Sequence, residues 1–175
     1  MKRTILLAAL ITVLGGGIAA SQEDAMTSLS YISYLERYAT LQPAQQEGTQ
    51  EAVINMPIVA GDRLDTAREA RAEVVLADGS TVWIDEYTTV SFDAVAYSRD
   101  TGGQRTVLFL AEGALMVQVP DDGLERQPTR IDGPNATVYL TTPGLYRVDR
   151  MPAGGLRLEA WQGLAEASTT GPPTL

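Results

Sequence analysis

The stretch Arg71–Glu86, RAEVVLADGSTVWIDE, decides the fold class. Ala72, Val74 and Leu76 alternate with polar or half-exposed positions, the period of a strand with one buried face. Asp78-Gly79 follows, a dipeptide that tolerates the positive φ of tight hairpin turns. Val82 and Ile84 then return on a single face. Two alternating runs around such a dipeptide predict a β-hairpin, with strands over 72–76 and 82–84. The expected turn is a two-residue type I′ turn with positive φ at both Asp78 and Gly79. Trp83 falls on the face opposite Val82 and Ile84. It is either an exposed anchor in a binding groove or, where a second layer covers that face, part of the core.

The same rhythm continues on both sides. Downstream, 88–95 repeats the alternation with Val90 and Phe92. VLFLAEGALMVQV (107–119) reads as two strands meeting at Gly113, 130–150 as two short strands around Pro143-Gly144, and 156–168 as two more meeting at Gly163. Upstream, 52–66 places Pro57 and Gly61 close together, which demands short, bent strands. The run 31–41 reads as a first strand broken near Glu36, with a short helix as the alternative. DTAREARAE (65–73) is the other segment that suits a helical turn, because Ala, Arg and Glu are good helix formers. Polar loops are expected at 43–51, 98–105 and 120–129. LFLAEGALMV (108–117) and LEAWQGLAEA (158–167) form a weak repeat of strand, glycine, strand. Many short strands with Gly or Pro between them imply an all-β domain, solenoid-like or sandwich-like.

The first residues have a different character. Lys2 and Arg3 precede an uncharged apolar run whose heart, Ile5 to Leu14, has the length of a signal-peptide core. Gly15, Gly16 and Gly17 then break any helix, and small residues allow cleavage after Ala19 or Ser21. An uncut membrane anchor is the alternative, but the run is short for a span. The expected organisation is a signal peptide over 1–21, a flexible lead-in over 22–30, the β domain over 31–168 and an unstructured tail over 169–175.

Composition removes whole function classes. The chain holds 22 acidic and 13 basic residues in 175, a formal net charge of -9. Such a surface repels nucleic-acid phosphates and anionic lipid. The chain has no cysteine and no histidine, so disulfides, Cys/His zinc sites and Ser-His-Asp or Cys-His catalysis are excluded. Lys2 is the only lysine, so Schiff-base and Ser-Lys chemistry disappear with the signal segment.

Carboxylates and tyrosines remain. Asp100-Thr101-Gly102 has the tripeptide of aspartic proteases but lies in a polar loop without a second copy, so a surface turn is expected. Asp85 and Glu86 could pair with other acids as a glycosidase would; capping a strand end in water is the plainer reading. Asp121-Asp122-Gly123 with Glu125 offers hard oxygen ligands without the spacing of a calcium loop. Neither Gly15–Gly17 nor Gly102-Gly103 has the context of a phosphate loop. Asn135-Ala136-Thr137 matches a glycosylation sequon. No catalytic, cofactor-binding or metal residue is therefore assigned.

Laid out in order, the motifs resemble the FecR-like periplasmic domain, the outer part of iron-citrate sensor proteins. Tyr31–Glu36 is similar to the family's opening strand. Gly61-Asp62, Leu64 and Thr66 resemble its G-D-x-L-x-T signature, and Arg71–Ser80 its S-R-A-E-L-x-L-x-D-G-S core. Glu86–Val90 stands at its x-N-T-x-L/V position, and Leu110–Val117 resembles its L-x-x-G-x-L-x-V strand pair. Pro143–Asp149 followed by Gly163 resembles the closing part of a subgroup of large exported proteins. One departure concerns Ala67–Ala70, where the family usually carries Gly or Pro. Another is the absence of the family's cytoplasmic helical region, since the export signal begins at residue 2, so the transmembrane anti-sigma mechanism is not carried over. The resemblance implies a non-catalytic extracytoplasmic sensor, scaffold or interaction module, periplasmic or secreted, with no cofactor. A carboxylate-dependent hydrolase acting on envelope polysaccharide is the alternative. The implied partner is an envelope protein or polymer, with no nucleic acid and no stable membrane insertion after cleavage; oligomeric state is left open.

Overall fold

The computed structural model describes residues 29–97, 104–123 and 127–169. The proposed signal segment, the Asp100–Gly102 tripeptide, Gly102-Gly103 and Glu125 lie outside them, as do 22–28 of the lead-in and 170–175 of the tail. The described residues contain no helix. The first strands are β1 (Ser30–Glu36), β2 (Ala39–Gln42), β3 (Gln50–Glu51), β4 (Pro57–Ile58) and β5 (Arg63–Thr66). The central ones are β6 (Arg71–Val75), β7 (Thr81–Ile84), β8 (Thr89–Tyr97), β9 (Gln104–Glu112) and β10 (Ala114–Val119). The last are β11 (Thr129–Asp132), β12 (Ala136–Leu140), β13 (Gly144–Arg150), β14 (Leu156–Gln162) and β15 (Ala165–Thr169).

They form two sheets. Sheet A has seven strands in the order β14-β13-β10-β7-β6-β1-β4, and sheet B has eight in the order β15-β12-β11-β9-β8-β5-β2-β3. Every pairing is antiparallel except β9 with β11. The inward residues of both sheets, among them Ile32, Val74, Val82, Ile84, Leu115, Tyr146, Leu64, Phe92, Leu108 and Ile131, join in one buried cluster. The architecture is an all-β sandwich, the second of the two forms expected.

The chain repeatedly passes from one sheet to the other, and most of these crossings turn on a single residue at positive φ. Arg37 (φ 61°), Asn55 (65°), Glu69 (55°) and Tyr87 (51°) serve the β1–β2, β3–β4, β5–β6 and β7–β8 crossings. Glycines 61, 113 and 163 serve β4–β5, β9–β10 and β14–β15. The weak repeat thus marks two such corners, one at Gly113 and one at Gly163. Glycine is required there by space as well as by backbone. A Cβ on Gly113 would collide with Thr88, and one on Gly163 with the Tyr146 hydroxyl.

Three local expectations are corrected. Asp78 is not at positive φ; only Gly79 is, at 82°. Gly79 N–H donates to Leu76 O (2.9 Å) and Leu76 N–H to Ser80 O (2.8 Å), a three-residue loop ending in a glycine bulge rather than type I′. The cause is the Asp78 side chain, which is turned inward and 6% exposed. Its Oδ1 accepts from Ser80 N–H (2.7 Å) and its Oδ2 from Thr106 Oγ (2.9 Å) on β9, pinning the sheet A hairpin to sheet B. The helical alternatives at 31–41 and 65–73 give way to strand–corner–strand, because helix propensity yields to the need to change sheets within a few residues. In the second case Ala70 N–H donates to Ala67 O (3.2 Å), and Glu69 takes the left-handed position that glycine would suit. Finally, the polar loop expected over 43–51 ends in the short strand β3.

Candidate recognition groove

The signature residues point inward. Asp62 is 2% exposed; its Oδ1 accepts from Ala44 N–H and its Oδ2 from Val59 N–H, both at 2.9 Å. Thr66 Oγ donates to Asp85 O (2.6 Å) and accepts from Thr88 N–H (2.9 Å). Thr88 Oγ in turn accepts from Ala114 N–H (3.0 Å), beside Gly113. These contacts tie successive corners together, so the G-D-x-L-x-T motif is structural.

The outward residues of sheet A make a different surface. The strand register aligns Tyr34, Glu73, Trp83, Met116, Arg147 and Glu159 in one row across six strands. Trp83 is half-buried on this outer face. Its indole N–H donates to Glu73 Oε2 (2.6 Å), and Ser33 Oγ donates to Glu73 Oε1 (2.6 Å), which fixes the ring on the sheet. Beside the row runs a chain of alternating charge. Asp85 lies 3.5 Å from both Arg71 and Arg147, Arg147 lies 2.9 Å from Asp149, and Arg157 lies 2.9 Å from Asp149. Burial of Arg147 favours its neutral form, but the hydrogen bond and charge of Asp149, then those of Asp85, outweigh burial and push its pKa further up. It is a permanent cation.

Between these rows lies a groove of about 300 Å³, lined by Tyr34, Arg71, Trp83, Asp85, Met116 and Arg147. That volume is at the lower end for a small-ligand site. Tyr34 stands at its edge, 50% exposed. An indole tied to a carboxylate, an exposed phenol and two guanidiniums are of the kinds that dominate binding energy at protein interfaces.

Asp85 lines the groove between its two arginines, whereas Glu86 faces a separate depression beside Arg37, Glu69 and Arg71. There its Oε2 accepts from Glu69 N–H (2.7 Å). Asp121, Asp122 and Gly123 follow β10 on the exposed surface. Among the described residues no group of three or more acidic side chains is arranged to hold a metal ion. Asn135 of the sequon is exposed in the turn between β11 and β12. Alternation indicated the face of Trp83, but Arg147 entered the groove only through the β10–β13 register.

Fold and groove together define an open β-sandwich with a groove on its outer face. The chain belongs to the FecR protein family, whose model matches residues 62–166. That span runs from the buried Asp62 into β15 and leaves the expected opening motif, Tyr31–Glu36, outside it. FecR domains are non-enzymatic regulatory modules of cell-envelope signalling, generally periplasmic. No curated protein and no solved structure matched the chain.

Proposed function

We propose that this chain is an exported, non-catalytic sensor or scaffold of the cell envelope, and that the groove around Trp83 receives its partner. The supporting observation is the convergence of Tyr34, Trp83, Arg71 and Arg147 on one outer face of a FecR domain. The favoured partner is an envelope protein, because this composition is that of an interface hot spot. The arginines are held in place by Asp85 and Asp149, so little side-chain freedom is lost on binding. The N-terminal pattern supports export, with the processed chain beginning at Ala20 or Gln22; mass spectrometry of the protein recovered from the cell envelope reads that terminus directly.

The test is capture of partners from envelope fractions by the immobilised chain, with a Trp83→Ala/Arg147→Ala variant alongside. Loss of two anchors should weaken binding by at least about thirtyfold, with the melting profile still cooperative. Equal capture by both proteins would place recognition elsewhere. A panel of envelope polysaccharides, assayed with the wild type and Asp85→Asn, addresses the hydrolase alternative: sequence-dependent cleavage lost in the variant would replace the present reading.

A further inference from the structure

The two lateral ends of the sandwich are built differently. At one end each sheet closes on a two-residue strand, β3 or β4, and β4 begins with Pro57. Short strands and proline are the usual devices that blunt a sheet edge. At the other end, β14 runs for seven residues and β15 for five, neither containing proline. Among the described residues each pairs on one side only: β14 with β13, and β15 with β12. Their inward side chains are incompletely covered. Leu156, Leu158 and Ala165 are half-buried against the core, and Ala160 and Ala167 are exposed. Among the described residues, both sheets therefore stop at the same place with backbone groups that no strand pairs and a core that is incompletely covered.

We propose that this end is a self-association surface, on which a second copy of the chain pairs β14 with β14 and β15 with β15 about one twofold axis. The backbone phase allows it. Arg150 N–H donates to Gly113 O and Met151 N–H to Gly155 O, each at 2.9 Å. Strand alternation from these bonds directs the Arg157 and Glu159 backbone groups to β13. It leaves those of Leu156, Leu158 and Ala160 facing outward at the free edge. An antiparallel twofold centred on Leu158 sets Leu158 opposite itself and Leu156 opposite Ala160 of the second copy, all facing the open core. It sets Arg157 opposite Glu159 of the second copy twice over, as non-hydrogen-bonded pairs whose side chains approach most closely. Centring on Leu156 or Ala160 gives no opposite-charge pair.

The second sheet agrees. Thr141 N–H donates to Leu164 O (2.9 Å), so alternation leaves the backbone groups of Ala165, Ala167 and Thr169 free. Ala167 follows the Gly163 corner at nearly the distance that Leu158 precedes it, so one axis serves both strands. The proline-containing tail, Pro172-Pro173, is a poor strand for this edge. The chain's own charge pattern therefore favours a second copy as the occupant.

Sedimentation of the full chain, purified in the form the cell produces, should show a concentration-dependent monomer–dimer equilibrium. Arg157→Glu and Glu159→Arg should each weaken the dimer about tenfold, and the two together should restore it. Ala160→Pro removes an edge N–H that no described strand uses and should abolish the dimer while the melting profile is retained. Because the chain has no cysteine, Leu158→Cys supplies a single thiol. Across a hydrogen-bonded pair the Cα separation, about 5.5 Å, suits a disulfide. Oxidation should thus cross-link Leu158→Cys and leave Ala160→Cys monomeric. A chain that stays monomeric at every concentration overturns the proposal, even if a strand of another protein binds the edge. So does a dimer indifferent to Ala160→Pro, and a dimer that lacks both the charge rescue and the Leu158→Cys cross-link overturns the register.

Discussion

The inner face of sheet A and the outer groove are carried by alternate residues of the same strands, and interior and exterior differ in what holds them. On β7, Val82 and Ile84 are buried while Trp83 lies on the outside; on β10, Leu115 and Val117 are buried while Met116 lines the groove. On β13, Tyr146 and Val148 flank the outward Arg147 in the same way. Inside, polar groups such as Asp62 and Thr88 are buried and held by backbone partners. Outside, charges pair with one another at partly exposed positions. A buried pin costs a great deal to remove because its partners are left without water, whereas an exposed ion pair contributes little. Substitutions should therefore separate folding from recognition along a single strand.

The largest effect is expected at Gly113. Valine there combines left-handed strain with a collision against Thr88, at a cost of roughly 3 kcal/mol or more. Thermal melting should show a collapsed midpoint or no folded protein; an unchanged midpoint would mean that the β9–β10 corner is not built as described. Asp62→Ala comes next, since it orphans the Ala44 and Val59 amides, for about 2–4 kcal/mol. Asp78→Ala should cost about 2 kcal/mol, comparable to the 1–3 kcal/mol of strain in Gly79→Val. A mild Asp78→Ala would restore the simple hairpin-turn reading.

That last pair shows where the sequence stopped being informative. The hairpin, its two faces and the turn position followed from alternation around Asp78-Gly79. The turn type did not, because it depends on Thr106, which belongs to a strand of the other sheet and stands far along the chain. The glycine corners at 113 and 163 were legible as strand breaks. Arg37, Glu69 and Tyr87 were not, since nothing about a bulky residue announces a left-handed backbone, and Asn55 carried only the general tolerance of asparagine for that region. In the groove, Trp83 was placed on the correct side by period alone. Its supports, Glu73 and Ser33, and its neighbour Arg147 required the cross-strand register, which the sequence leaves unspecified. Motif resemblance led to the right family largely through interior residues, although Arg71 of the Arg71–Ser80 core also lines the groove.

Smaller effects sharpen the other half of the comparison. Arg147→Ala should change stability by less than about 1 kcal/mol while reducing partner capture. Asp93, on the outer side of sheet B, tests electrostatics apart from the groove. Partial burial, aided by the charge of Asp132 and opposed by Arg130, raises its pKa above 3.8. A carboxyl whose folded-state pKa is raised favours the fold when protonated, and that contribution is lost as pH rises through the folded-state value. Asp93→Asn should therefore match the wild type in acid and melt slightly higher near neutrality. A variant that melts lower at neutral pH would reverse the sign of this contribution.

The most direct measurement of where recognition occurs is photo-crosslinking in living cells, with a benzophenone side chain placed in turn at Tyr34 beside the groove and at Tyr139 on sheet B. Recognition by the outer face of sheet A predicts a discrete adduct from position 34 that disappears when Trp83→Ala and Arg147→Ala are added, and no adduct from position 139. Adducts from position 139 with none from position 34, or a position 34 adduct indifferent to the groove substitutions, would contradict it.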